Sequence, residues 1–82
     1  MNSASTDHVT AATRTPALVI ANGEPIEIQL ACSIQAFLVA QNLLPRSVVV
    51  EHNGDAVAPS EFSHRQLQAG DRLEIVKIVA GG

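Results

Sequence analysis

The sequence predicts one α+β domain: a mixed sheet of about five strands, one main helix and a short helical turn. Three observations carry this. Two Asn-Gly pairs, Asn22-Gly23 and Asn53-Gly54, each sit between β-prone apolar runs, as tight hairpin turns do. One apolar stripe, Ile34, Phe37 and Leu38, has helical spacing. The last apolar stretch carries Leu73 and Ile75 on one face and Val76 and Ile78 on the other, the pattern of a strand in mid-sheet.

Taken in order, residues 1–17 predict no element. Ten of the 17 are Ser, Thr or Ala, and Val9 is the one other aliphatic residue between Met1 and Leu18, too little apolar surface to offset the entropy of ordering. They read as a disordered N-terminal extension, with no apolar stretch of the kind a secretory signal needs. The folded domain is expected over 18–82. Leu18 to Ala21 forms a first strand, Asn22-Gly23 turns, and Ile26 to Leu30 alternates as a second strand with one face buried. Ser33 suits a helix N-cap. The helix then runs from about Ile34 to Gln41, with Asn42 able to take the left-handed position after it and Pro45 blocking its continuation.

Val48 to His52 is β-branched and reads as a strand, returned by Asn53-Gly54 into Asp55-Ala56-Val57. Pro59 to Phe62 begins a helical turn, with Phe62 and Leu67 as core anchors. Ala69-Gly70-Asp71 turns into the last strand, Arg72 to Val79, and the sequence closes with Ala80-Gly81-Gly82. Hairpin, helix, hairpin, helical turn, strand is the order of a β-grasp, or ubiquitin-like, fold. The last strand is then central and parallel to the first.

Composition excludes several functions. Five Lys+Arg against eight Asp+Glu give a net charge of −3, so there is no basic stripe for nucleic acid. Trp and Tyr are absent, so there is no platform for stacking bases. No apolar run reaches the roughly 18 residues of a membrane span. The single cysteine, Cys32, rules out a disulfide framework and a cysteine-ligated cluster, and fits a reducing, cytoplasmic setting.

Among the chemistry-bearing residues, His8, His52 and His64 lack metal-site spacing, and no metal is expected. His52 is in register with Val48 and Val50, which puts it at the rim of the core. Cys32 lies just before a helix N-terminus, a position that lowers a thiol pKa. It has no second cysteine or placed base beside it, and reads as a half-buried structural residue. Gly23, Gly54 and Gly70 are each explained by a turn, so no phosphate-binding loop is present. No paired carboxylates suggest acid–base catalysis, and no catalytic residue is expected. Glu51 and Glu74 belong on solvated strand faces.

The remaining candidate is the end of the sequence. Glycine has no Cβ, so a narrow channel can close around Gly81-Gly82. The reacting group would then be the α-carboxylate of Gly82, with Gly81 and Ala80 giving access. Val49, Val76, Ile78 and Val79 are the expected docking surface, because an apolar patch beside the tail suits a partner.

From Val19 to Gly82 the sequence resembles the ThiS family of sulfur carriers. The resemblance rests on Asn22-Gly23-Glu24, Ser33-Ile34, Phe37-Leu38, Pro45-Arg46, Val48 to Glu51, Asn53-Gly54 and Ser60-Glu61-Phe62. Most specific is Ala69-Gly70-Asp71-Arg72-Leu73-Glu74-Ile75-Val76, leading into Gly81-Gly82. The sequence departs from the family at the N-terminal extension, at Gln41 and His52, where apolar residues are expected, and at Asn42, where glycine is usual.

The resemblance implies a carrier rather than an enzyme. A ThiF-like, E1-type enzyme would use ATP to adenylate Gly82, and no cofactor would be held permanently. Sulfur from a persulfide or sulfide donor, such as a cysteine desulfurase, would convert it to a thiocarboxylate. A ThiG-like thiazole synthase would accept that sulfur in thiamine biosynthesis. Diglycine β-grasp proteins also serve molybdopterin, sulfur-containing natural products and tRNA thiolation, and a ubiquitin-like modifier shares the same first step. A plain binding module, in which the diglycine is incidental, is the remaining alternative.

Overall fold

The computed structural model describes residues 15–79. Strands β1 (Thr15–Ala21) and β2 (Glu24–Leu30) form the first antiparallel hairpin. Its turn holds Asn22 and Gly23 at φ 51° and 84°. Two successive positive φ values match the twist of the flanking strands, and Asn followed by Gly adopts them at low cost. Helix α1 (Ile34–Ala40) follows, then a 3₁₀ turn at Pro45–Ser47 that the sequence reading did not anticipate. Strands β3 (Val48–His52) and β4 (Asp55–Val57) form the second hairpin, again on an Asn-Gly turn. A 3₁₀ turn at Pro59–Glu61 leads toward β5 (Arg72–Lys77).

The sheet order is β2-β1-β5-β3-β4. Strand β5 is central, antiparallel to β3 over five register pairs and parallel to β1 over two, Ile20↔Arg72 and Ala21↔Leu73. This is the β-grasp arrangement expected from the element order.

The Ser33 hydroxyl accepts from Ala36 N at 3.0 Å and starts α1. Gln41 is the C-cap, and Asn42 takes the left-handed conformation at φ 61°. The stripe of Ile34, Phe37 and Leu38 is fully buried against Val19, Val50 and Leu73 from the sheet. Phe62 and Leu67 close the core from the long connection before β5. Burying each such side chain contributes about 1.5–3 kcal/mol over leaving it in water.

One boundary needs correction. The expected extension over residues 1–17 overlaps β1, because Thr15, Pro16 and Ala17 pair with Leu30, Gln29 and Ile28, and Ala17 is buried. Proline is tolerated at position 16 for a geometric reason. Gly70 N donates to Leu18 O and Ile20 N donates to Asp71 O, so the even-numbered residues of β1 aim their main chain at β5. Pro16 continues that series below Arg72, where β5 has not begun, and its missing N–H leaves no ladder bond unmade. The rest of that expected extension, residues 1–14, lies outside the described residues.

Candidate functional site

Beyond Leu73 the central strand leaves the core. Leu73 is buried and Ile75 half-buried beneath α1, and strand alternation turns Glu74 and Val76 to the opposite, open face. On β3, Val48 and Val50 are buried, so Val49 between them is on the open face too. Val49 and Val76 are register partners. Ile78 and Val79, which follow toward the tail, are exposed as well, Val79 at 86%. Of the four residues expected to form the docking surface, the structure brings Val49 and Val76 together on the open face, and all four are exposed. Ala80, Gly81 and Gly82 lie outside the described residues.

Next to Val49 and Val76, Glu51 and Glu74 are also register partners and both are exposed. Two carboxylates side by side repel. Among the described residues neither makes an ion pair. The pattern across these central strands is thus an apolar pair nearest the tail and an acidic pair behind it.

Two asparagines anchor the central strand. The Asn22 carboxamide oxygen accepts from Ile75 N at 2.7 Å, and its Nδ2 donates to Ile75 O at 3.0 Å. The Asn53 Oδ1 accepts from Arg72 N at 2.8 Å, and its Nδ2 donates to Asp71 Oδ1 at 3.1 Å. Each hairpin turn thus reaches sideways to fix β5. From the sequence alone, both asparagines are explained by their turn conformation.

His52 is buried at the end of β3 beside the second turn, at the edge of the core, and its Nε2 donates to Asp71 Oδ2 at 2.7 Å. Asp71 Oδ2 also accepts from Gln68 N at 2.8 Å. Burial pushes the Asp71 carboxyl upward, but hydrogen bonds from His52, Asn53 and Gln68 together outweigh it and hold the group below its ordinary value. This cluster stands at the start of β5, the opposite end from the tail, and is structural.

The other sequence candidates stay apart. Cys32 is half-buried and donates weakly to Ser33 O at 3.4 Å. Burial pushes its thiol above the ordinary value, against the effect expected of a helix N-terminus. His64 is exposed, and His8 lies outside the described residues. Among the described residues no three His, Cys, Asp or Glu side chains gather as a metal site would require. Nor is any described helix long and apolar enough to cross a membrane.

The ThiS family model matches residues 18–82, which span the sheet, the helix and the terminal diglycine. The chain belongs to the ThiS family. A crystal structure of a ThiS thiamine biosynthesis protein from Geobacter metallireducens superposes with a TM-score of 0.68 at 25% identity, covering 79% of this chain and 99% of that one. Two curated relatives are similar over part of their length. A thiazole synthase of Paramagnetospirillum magneticum is 31% identical over 64 residues, which is 78% of this chain and 20% of the relative. A thiazole synthase of Magnetococcus marinus is 30% identical over 61 residues, 74% and 19% respectively. The chain spans about a fifth of the length of these relatives. The ThiS match begins at Leu18, so Thr15 to Ala17 of β1 lie before it.

Proposed function

We propose that this chain is a sulfur carrier of thiamine biosynthesis, acting through the α-carboxylate of Gly82 as a co-substrate of partner enzymes. The observation that carries the reading is the ThiS match, which runs from the first hairpin to Gly81-Gly82. The exposed aliphatic residues leading to that tail support it.

A carboxylate resists displacement because its oxygen is a poor leaving group. A ThiF-like enzyme would transfer AMP from ATP to Gly82, releasing pyrophosphate. Sulfide attacks the acyl carbon, the acyl–oxygen bond breaks, AMP leaves and a thiocarboxylate remains. A persulfide donor, of the kind a cysteine desulfurase makes, first gives an acyl disulfide. A thiol then reduces that disulfide to the same product. ATP is consumed by the activating enzyme, and the carrier itself holds no cofactor. Val49, Val76, Ile78 and Val79 dock against the partner, while Ala80 and Gly81 let the chain pass into its site. The likeness to two thiazole synthases supports such an enzyme as the sulfur acceptor.

The test is intact mass after incubation with ATP, sulfide and a ThiF-type adenylating enzyme. The expected result is a gain equal to replacing one oxygen by sulfur, located on the C-terminal fragment. An unchanged mass, with the same enzyme active on another carrier, would refute the reading.

A further inference from the structure

The hydrogen bonds around β5 leave one edge open, and its position beside the tail points to a use. Even-numbered residues of β5 aim their main chain at β3: Asn53 N donates to Arg72 O, and Ile78 N donates to Ser47 O at 2.8 Å. Odd-numbered residues therefore face the β1 side. There Leu73 O accepts from Asn22 N, and both main-chain groups of Ile75 are taken by the Asn22 side chain. Strand β1 ends at Ala21, level with Leu73, and the chain turns back at Asn22-Gly23. Lys77 is the next odd residue, and alternation carries Val79 to the same side. Among the described residues no strand or side chain pairs with either on that side.

Below this edge, on the helix side, lies a hollow of about 210 Å³. Ile26, Phe37, Leu43 and Ile75 supply its apolar wall, and Asn22 and Gln41 its rim. That is below the roughly 300–1,000 Å³ of small-molecule pockets and suits one side chain from a neighbouring strand.

We propose that the Lys77–Val79 edge is a β-addition site, to which an extended segment of the enzyme that activates Gly82 pairs. The segment takes main-chain hydrogen bonds from Lys77 and Val79 and places one apolar side chain in the hollow. Open main-chain donors and acceptors at a strand edge select another strand. The occupant follows from continuity with the tail. Val79 is three residues from Gly82, at most about 10 Å of chain, so any enzyme that holds Gly82 comes within about 10 Å of this edge. The assignment rests on the carrier reading above.

The experiment is amide hydrogen exchange on the full chain, alone and with a ThiF-type adenylating enzyme, without ATP. Binding is thereby read separately from chemistry, and wild-type mass gain with ATP and sulfide reports the carrier reading in parallel. The expected result is slowing of the Lys77 and Val79 amides by about tenfold or more in the complex. Lys77→Pro, which removes an N–H that β3 does not use, is expected to weaken binding by about tenfold, while Lys77→Ala stays within about twofold. A complex in which both amides exchange at their free rates overturns the edge pairing while leaving the carrier reading to its own mass test. Slow exchange in the free chain at every concentration means the chain covers its own edge, and also overturns it. Slowing that grows with concentration of the free chain assigns the edge to a second copy instead. Absence of any complex overturns the assignment outright.

Discussion

His52 Nε2 stands 2.7 Å from Asp71 Oδ2, joining the end of β3 to the turn that launches the central strand. The two residues are 19 positions apart, and Asn53 and Gln68 complete the same carboxylate's shell. The arrangement makes the entry to β5 dependent on one acidic group.

Asp71→Ala leaves the buried His52 without its acceptor, at a cost of about 1–3 kcal/mol at neutral pH. Because the folded carboxyl sits below its ordinary value of 3.8, its contribution is present above that value. The contribution is lost as pH falls through it toward the folded value. Thermal unfolding followed from pH 7 to pH 3 should show a drop beginning near that ordinary value. In Asp71→Asn this component of the drop should be absent.

Ser33→Ala removes the acceptor for Ala36 N at the head of a seven-residue helix. The expected loss is about 1 kcal/mol, a fall in Tm of roughly 4–8 °C in a domain of this size. Ser33→Asp keeps a capping oxygen and should recover most of it. Calorimetry of the three proteins decides.

Glu74→Lys converts a like-charge register pair with Glu51 into an opposite one. A gain of about 0.2–1 kcal/mol is expected in urea unfolding at low salt. The difference from wild type should shrink near 1 M salt, where the screening length is about 3 Å. An equal difference at both salts would mean that something other than charge is responsible.

Val76→Asp places a charge in the exposed aliphatic pair with Val49, where Val76 is 62% exposed, and should change stability by no more than about 0.5 kcal/mol. Its affinity for a ThiF-type enzyme should fall by about tenfold or more, the equivalent of about 1.4 kcal/mol. Titration calorimetry against Val39→Asp, a site also exposed but on α1, separates that pair from a general charge effect.

Much of the fold was legible because its signals are local. Asn-Gly pairs name their own turns, and Ile34, Phe37 and Leu38 name the buried face of α1. The centrality of β5 was readable from its apolar residues on both faces. The start of β1 was not, since Thr15 and Pro16 join the sheet through main-chain pairing and carry little apolar signal. The His52–Asp71 bond and the reach of Asn22 to Ile75, 53 positions away, were equally hidden. Each depends on strands brought together only by the finished sheet. In the candidate site, the shared open face of Val49 and Val76 was legible from alternation alone. The open edge at Lys77 required knowing where β1 stops and which side Asn22 occupies.

The bond from Ile78 N to Ser47 O has a kinetic meaning for a carrier. Among the described residues it is the last main-chain hydrogen bond before Gly82, four residues away, and four residues extend at most about 13 Å. A terminus tethered by so short a linker has an effective concentration on the order of millimolar or above at a site within its reach. Once the domain docks, delivery of the carboxylate is a search over a few nanometres cubed rather than through solution. Each residue added between Ile78 and Gly82 would dilute that local supply.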